Sequence, residues 1–155
     1  MVGPKTTGGA CTFQTDWAPS ANAFLSLDSA NLVFWTIDDR ANVQTAKTFP
    51  LNVPNVMVTG WNCLAVDDVG QYAFVMYNCI GPNFGDPILT GVATYSYNSN
   101  KDFKFVSNYI LNNWPGNKPV CLGQPAVTSS SKYQQFTWGT NDQQIAPGHI
   151  GIYNK

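Results

Sequence analysis

No long segment of this chain keeps the 3.6-residue spacing of apolar side chains that an amphipathic helix requires. Short apolar runs alternate instead with clusters of Asp, Asn, Gly and Pro, which is the pattern of strands and turns. The composition agrees, because the chain has 13 Gly and 10 Pro and its acidic residues are all Asp, whereas helices draw heavily on Glu. We therefore expect an all-β protein.

The spacing of these runs, with turn signals about every 8–12 residues, predicts an antiparallel β-sandwich, jelly-roll-like, of about ten short strands. Long loops are expected near residues 81–87 and 112–119, where Gly, Pro and Asn cluster. The pattern of apolar strand, Asp turn and apolar strand recurs around Asp28, Asp38 and Asp67 and is echoed near Asn98 and Ser129. Such a repeat leaves a β-propeller-like fragment as the alternative fold.

The length of 155 residues fits one domain. Residues 1–10 are rich in Gly and Thr and are interpreted as a linker or leader, with a single β domain over residues 11–155. The leader lacks the apolar core of a signal peptide. No apolar run approaches the roughly 20 residues that span a bilayer, so membrane insertion is not expected.

Charge also narrows the choice of partners. Only 11% of the residues are charged, the net charge is −1, and the lysines are scattered along the chain. A nucleic-acid-binding domain needs a clustered basic surface to neutralise phosphates, and none is visible here. Nucleic acid is therefore not an expected partner.

Four cysteines allow three disulfide connectivities. A hairpin turning near residues 67–70 places Cys63 opposite residue 74 or 75, which leaves Cys79 too distant to bond it. We predict that these two are not paired, and we favour the interpretation that all four are reduced apolar fillers. His149 is the only histidine and no Cys-x-x-Cys occurs, so neither a metal nor a cofactor is expected. The four cysteines of the chain are Cys11, Cys63, Cys79 and Cys121.

The sequence offers little for catalysis. His149 is the only histidine that could act as a general base, and no nucleophile motif lies beside it in the sequence. The paired carboxylates Asp38 with Asp39 and Asp67 with Asp68 lie in predicted turns, where Asp binds its own backbone and is solvated. We therefore expect a protein that is not an enzyme.

Aromatic side chains beside amides are the candidate ligand-binding residues. Trp114 lies in the expected loop between Asn113 and Asn117, and a similar setting surrounds Trp138 and Asn141. Such groups suit stacking on a sugar or forming the centre of a protein interface. The alternative is that Trp114 folds back on the core.

Two predicted strands, residues 32–37 and 72–77, are apolar on both faces. A strand with one solvated face alternates apolar and polar side chains, so both should be covered on two sides. Trp35 and Trp61 lie in strand patterns and are therefore expected to pack in the core. A second subunit packed against the other face of these strands would bury it, and the pattern therefore favours a homo-oligomer.

A β-rich, Asn/Gln/Thr-rich domain without Glu or an Asn-x-Ser/Thr sequon, with a Gly/Pro/Thr leader, resembles in composition the projecting domains of viral capsids and spikes. The resemblance implies a non-enzymatic surface-recognition domain that self-associates and binds a host receptor or glycan. It also implies a location on the virion surface or outside the cell. The alternative is a carbohydrate-binding module or lectin of a cellular organism.

Overall fold

The computed structural model describes residues 15–80, 86, 88–115, 126–129, 133–138 and 149–154, and side chains up to residue 110. Apart from one 3-10 turn at Pro19–Ala21, every regular element in these ranges is a strand, which confirms the all-β class. The strands are β1 (Thr15–Ala18), β2 (Ala23–Asp28), β3 (Asn31–Ile37), β4 (Val43–Pro50), β5 (Met57–Asp67), β6 (Tyr72–Ile80), β7 (Ile88–Tyr97), β8 (Phe103–Pro115), β9 (Ala126–Ser129), β10 (Tyr133–Trp138) and β11 (His149–Asn154).

The strands form three antiparallel sheets in which chain neighbours pair. Sheet A has the order β1-β2-β3-β4, sheet B the order β5-β6-β7-β8, and sheet C the order β11-β10-β9. The jelly-roll prediction is wrong for the described strands, because a jelly roll needs Greek-key crossovers and each of these sheets is a simple meander. The two four-stranded sheets contain eight strands rather than about ten, and sheet C is separate from them.

The first hairpin of each sheet has the same register. Its last paired residues are Ala18 with Ala23 in sheet A, Asp67 with Tyr72 in sheet B, and Ser129 with Gln134 in sheet C. Each pair brackets a connection of the same length. In sheets A and B this connection closes with the same backbone hydrogen bond, from Asn22 N to Pro19 O (2.9 Å) and from Gln71 N to Asp68 O (3.3 Å).

The third hairpins of sheets A and B are also alike. The connections span residues 38–42 and 98–102 and place Ala41 (φ 60°) and Lys101 (φ 63°) in the left-handed region. The amide of each of these two residues donates to the carbonyl three positions earlier at 2.9 Å. The turns noticed in the sequence around Asp38 and Asn98 are therefore copies of one backbone geometry.

Strand β5 continues through Gly60, although glycine is unfavourable inside a strand. It runs without a break from Met57 to Asp67. Its pairing register with β6 shifts between Val58 and Gly60 and again between Trp61 and Cys63. A β-bulge adds a residue to one strand without ending it, so a glycine in the sequence does not mark the end of this strand.

One face of sheet A packs against one face of sheet B to form the main core. Leu25 and Phe34 from sheet A and Val75 and Tyr95 from sheet B are fully buried in it. The ring of Phe34 stacks on Phe103 with centroids 4.8 Å apart and planes at 15°. Offset stacking of this kind adds to the free energy gained by burying the rings themselves.

The second face of sheet B is buried too. Cys63, Ala65, Phe74, Met76 and Val92, which the register places on this face, are at most 1% exposed. This burial is complete within a single chain. The two-sided apolar pattern of residues 72–77 therefore needs no second subunit to explain it.

The cysteines divide into different states. Cys79 is free and buried, which confirms that it is not bonded to Cys63. Cys63 is disulfide-bonded, so the expectation that all four cysteines are reduced is wrong. The register also differs from the prediction, because the turn at residues 68–71 places Cys63 opposite Met76 rather than residue 74 or 75. Cys11 and Cys121 lie outside the described residues.

Candidate functional site

The segment around Trp114 belongs to a strand, which corrects the prediction of a loop over residues 112–119. Strand β8 continues to Pro115, and Pro115 pairs with Leu89 of β7. Between that pair and the pair of Leu111 with Thr90 the register shifts, so Asn113 and Trp114 lie in a bulge at the end of this edge strand. Bulges change the direction of side chains and are common beside binding sites.

The other predicted site residues are less completely described. Trp138 ends β10 and pairs with His149, the first residue of β11. Asn117 and Asn141 lie outside the described residues, as do residues 116–119 of the expected loop and most of residues 81–87. The structure therefore places Trp114 and Trp138 at the ends of strands in different sheets. Whether they share a ligand stays a prediction.

The carboxylate of Asp38 shapes its own turn. Its Oδ1 atom accepts hydrogen bonds from the amides of Arg40 (2.9 Å) and Asn42 (2.8 Å), and its Oδ2 atom accepts one from Asn42 Nδ2 (2.9 Å). Bonds to the Asn42 side chain and backbone lower the pKa of Asp38 because they favour the charged form. A carboxylate used in this way is a turn cap, as the sequence indicated.

Asp67 and Asp68 are less solvated than expected. Asp67 is only 6% exposed, and its Oδ1 atom accepts a hydrogen bond from Gly70 N at 3.2 Å. Asp68 Oδ1 accepts hydrogen bonds from Ser20 Oγ and from Tyr97 OH, both at 2.7 Å. Because Ser20 follows β1 while Tyr97 ends β7, the Asp68 carboxylate joins sheet A to sheet B.

The Tyr97 hydroxyl is held in its neutral form. Burial and the hydrogen bond to Asp68 raise the pKa of Tyr97 far above its usual range. The ionised phenolate would be poorly solvated at this buried position and would be repelled by the Asp68 carboxylate. A group so strongly tied to its proton is not suited to act as a general base. The arrangement around Asp68 is therefore a structural junction between sheets.

The outer face of sheet A is an apolar surface that sequence reasoning missed. It consists of Trp17, Phe24, Val33, Trp35, Ile37 and Val43, which the register of β1 to β4 places on the side away from sheet B. Trp17 and Phe24 pack with ring centroids 4.6 Å apart. Trp35, expected in the core, lies half-buried on this face. The clue was present, since residues 32–37 are apolar on both sides, but the pattern does not show which side is covered.

Among the described residues there is no group of three or more His, Cys, Asp or Glu side chains able to hold a metal ion. The same part of the chain contains no helix long and apolar enough to span a bilayer. Neither a protein-family model, nor a curated protein, nor a solved structure matches this chain.

Proposed function

We propose that this chain is a non-enzymatic recognition domain that binds an uncharged glycan at the end of sheet B where β8 finishes. The observation that carries the proposal is the bulge that contains Asn113 and Trp114 on an edge strand. A rigid sheet positions the bulge, and Trp with neighbouring amides offers a stacking surface and hydrogen-bonding groups for sugar hydroxyls. Protein receptors are the competing class of ligand.

The hydrogen bonds made by the carboxylates of Asp38, Asp67 and Asp68 support a binding role for the domain rather than a catalytic one. Asp38 caps a turn, Asp67 binds a backbone amide, and Asp68 joins two sheets. General acid–base catalysis needs a titratable group positioned toward a substrate, and these carboxylates point to the protein's own donors.

The order of the sheets supports the propeller-like alternative for the architecture over a closed two-sheet sandwich. The first strands of the three sheets are neighbours, since β1 contacts β5 and β5 contacts β9. Val66 N of β5 donates to Asp16 Oδ2 of β1 at 3.0 Å, and the turns after these strands meet through Ser20 and Asp68, so β1 and β5 run in the same direction. Propeller blades stack meander sheets in this way.

The disulfide of Cys63 supports an extracellular location, because structural disulfides persist in oxidising compartments. A projection on a virion and a secreted carbohydrate-binding module or lectin are both consistent with that location. Binding of the labelled domain to intact cells, lost after glycosidase treatment of those cells, would support a receptor-binding projection. Binding to isolated polysaccharides but not to cells would favour the module.

The direct test is a glycan array probed with the wild-type domain and with Trp114→Ala. We expect binding of the wild type to neutral glycans and a loss of at least about tenfold in affinity for Trp114→Ala. Tyr109→Ala is the matched control, because Tyr109 is an exposed aromatic residue on the same strand before the bulge. Equal binding by Trp114→Ala and wild type would overturn the proposed site.

A further inference from the structure

The second face of sheet B is buried in its middle but open at the end where β6 finishes and β7 begins. Its last row there consists of Met57, Ile80 and Ile88, which the register places side by side. Cys79 lies in the main core, so its neighbour Ile80 faces the other side of the sheet. Met57 is 67% exposed and Ile88 is 40% exposed, whereas Met76 further along this face is fully buried. Apolar side chains that are exposed together are typical of binding surfaces.

A polar row lies directly beside this apolar row. Asn62 Nδ2 donates a hydrogen bond to Asn78 Oδ1 at 3.1 Å, and Thr90 Oγ1 donates to the same oxygen at 3.3 Å. Asn62 Oδ1 and Asn78 Nδ2 have no hydrogen-bond partner among the described residues, although both side chains are half-buried. If the two amides turn over together they exchange roles, and one N–H donor and one C=O acceptor still remain. The row therefore offers a donor and an acceptor to a ligand.

Gly60 leaves room for a ligand beside the two amides. It pairs with Asn78 on this face, and a Cβ atom on Gly60 would have no atom within 4 Å. Because even an added side chain would fit there, a ligand group of similar size can reach the amide of Asn78. We call this surface the sheet B shelf, and its residues are Met57, Gly60, Asn62, Asn78, Ile80 and Ile88.

The sheet B shelf adjoins the bulge of β8. Asn78 pairs with Thr90, and Thr90 pairs with Leu111, the last paired residue before the bulge. Neighbouring strands lie about 4.8 Å apart, so Asn78 on β6 is roughly 10 Å from β8, and Asn62 on β5 is roughly 14 Å from it. A single sugar ring does not cover that distance, whereas a short chain of linked rings does.

We propose that the sheet B shelf is a second subsite for the glycan of the β8 bulge, so that the ligand is a neutral chain of linked sugar rings lying across the strands. This inference rests on the proposed function, because it extends the ligand of the bulge. No side chain of the shelf is charged, and the nearest charged residue in the described sequence is Asp86, two residues before Ile88. A sugar ring has an apolar C–H face and hydroxyl groups at its edge. It therefore matches an apolar row beside a free donor and acceptor.

Binding to neutral oligosaccharides of increasing length tests the shelf separately from the bulge. The probe is an array of gluco-, galacto- and manno-oligosaccharides, from a single ring to several rings. The wild type should bind the longer chains at least about tenfold more tightly than the single ring. Gly60→Leu fills the shelf and Asn62→Ala removes its free acceptor, so both variants should lose this gain and bind the single ring as the wild type does.

Asn100→Ala is the matched control, because Asn100 is an exposed amide in the turn at the opposite end of sheet B. It should bind every chain length as the wild type does. Circular dichroism should show that the control and both shelf variants are folded, since a side chain at Gly60 meets no neighbouring atom.

The outcomes distinguish the shelf from the bulge. If Trp114→Ala loses binding while Gly60→Leu and Asn62→Ala keep the wild-type gain with length, the bulge is a glycan site and the proposed shelf is overturned. If the shelf variants lose the gain and Trp114→Ala binds as the wild type does, the shelf is supported and the bulge is overturned. Shelf variants that bind the array normally but fail to bind intact cells would overturn the proposal in favour of a protein partner. A wild type that binds no oligosaccharide would overturn both sites.

Discussion

The Asp68 carboxylate shows how a single residue connects parts of the chain that are distant in sequence. It accepts hydrogen bonds from Ser20, which follows β1, and from Tyr97, which ends β7. Hydrogen bonds to a charged group contribute about 1.5–3 kcal/mol each, more than bonds between neutral groups. Their removal should therefore be felt in the stability of the contact between sheet A and sheet B.

For this reason Tyr97→Phe should lower the free energy of unfolding at pH 7 by about 1–3 kcal/mol, measured by urea denaturation. The pH dependence gives a second readout. The folded state raises the pKa of Tyr97, so this residue stabilises the fold fully below the usual tyrosine pKa of about 10 and progressively less as pH rises above it. The wild type should therefore lose stability more steeply than Tyr97→Phe as the pH rises above about 10.

The control for that experiment is Tyr109→Phe, because Tyr109 is an exposed tyrosine of the neighbouring strand. Its stability should follow the wild-type curve at alkaline pH. If Tyr97→Phe and wild type have parallel curves, the hydrogen bond to Asp68 does not control the alkaline transition.

At the scale of strands and sheets, the sequence predicted which segments are strands better than how long they are. The apolar runs at residues 32–37 and 72–77 correspond to β3 and β6, although burial does not alternate along either strand, because each has buried side chains on both faces. Gly60 and the amide-rich segment before Pro115 look like breaks, but register shifts let β5 and β8 continue through them. Local propensity cannot reveal this, because pairing with the neighbouring strand decides whether a bulge replaces a loop.

The candidate site was predictable only in part for a similar reason. Asn113 and Trp114 were identified by their composition, yet their place in a bulge depends on pairing with β7. The outer face of sheet A was missed because Phe24 and Trp35 alternate with residues that are equally apolar. When both faces of a strand are apolar, periodicity does not show which face meets the core.

Two glycines in sheet B provide a matched test of packing. A Cβ atom on Gly91 would lie 2.4 Å from Cζ of the buried Tyr77 ring, whereas one on Gly60 would have no atom within 4 Å. Overpacking a buried site costs about 1–3 kcal/mol. Gly91→Ala should therefore lower the free energy of unfolding by that amount, and Gly60→Ala should leave it within about 0.5 kcal/mol of wild type. Comparable losses in both variants would show that Tyr77 moves aside.

At the scale of the whole molecule, sheet B has buried side chains on both of its faces. It contains Cys63, which is fully buried and disulfide-bonded, while Cys79 on the opposite face is equally buried and free. Two cysteines with the same exposure therefore contribute differently. One cross-links the chain, and the other only fills space in the main core.

Reduction should separate these two contributions. Loss of a disulfide from a domain of this kind costs about 2–5 kcal/mol, a large share of the roughly 5–15 kcal/mol that stabilises a typical domain. A thiol reductant should therefore lower the Tm of the wild type and of Cys79→Ala, measured by scanning calorimetry. Cys63→Ala should start from a lower Tm and show no further response. A wild-type Tm unaffected by complete reduction would contradict the structural role of this bond.

The meander connectivity of sheets A and B has a consequence for the order in which the molecule assembles. Every strand pair within a sheet joins neighbours in the chain, so hairpins close over short loops and can form within microseconds. The contact between Asp68 and Ser20 spans 48 residues and must wait until both sheets exist. Each sheet should therefore collapse on its own, with their docking as the slow step that sets the folding rate.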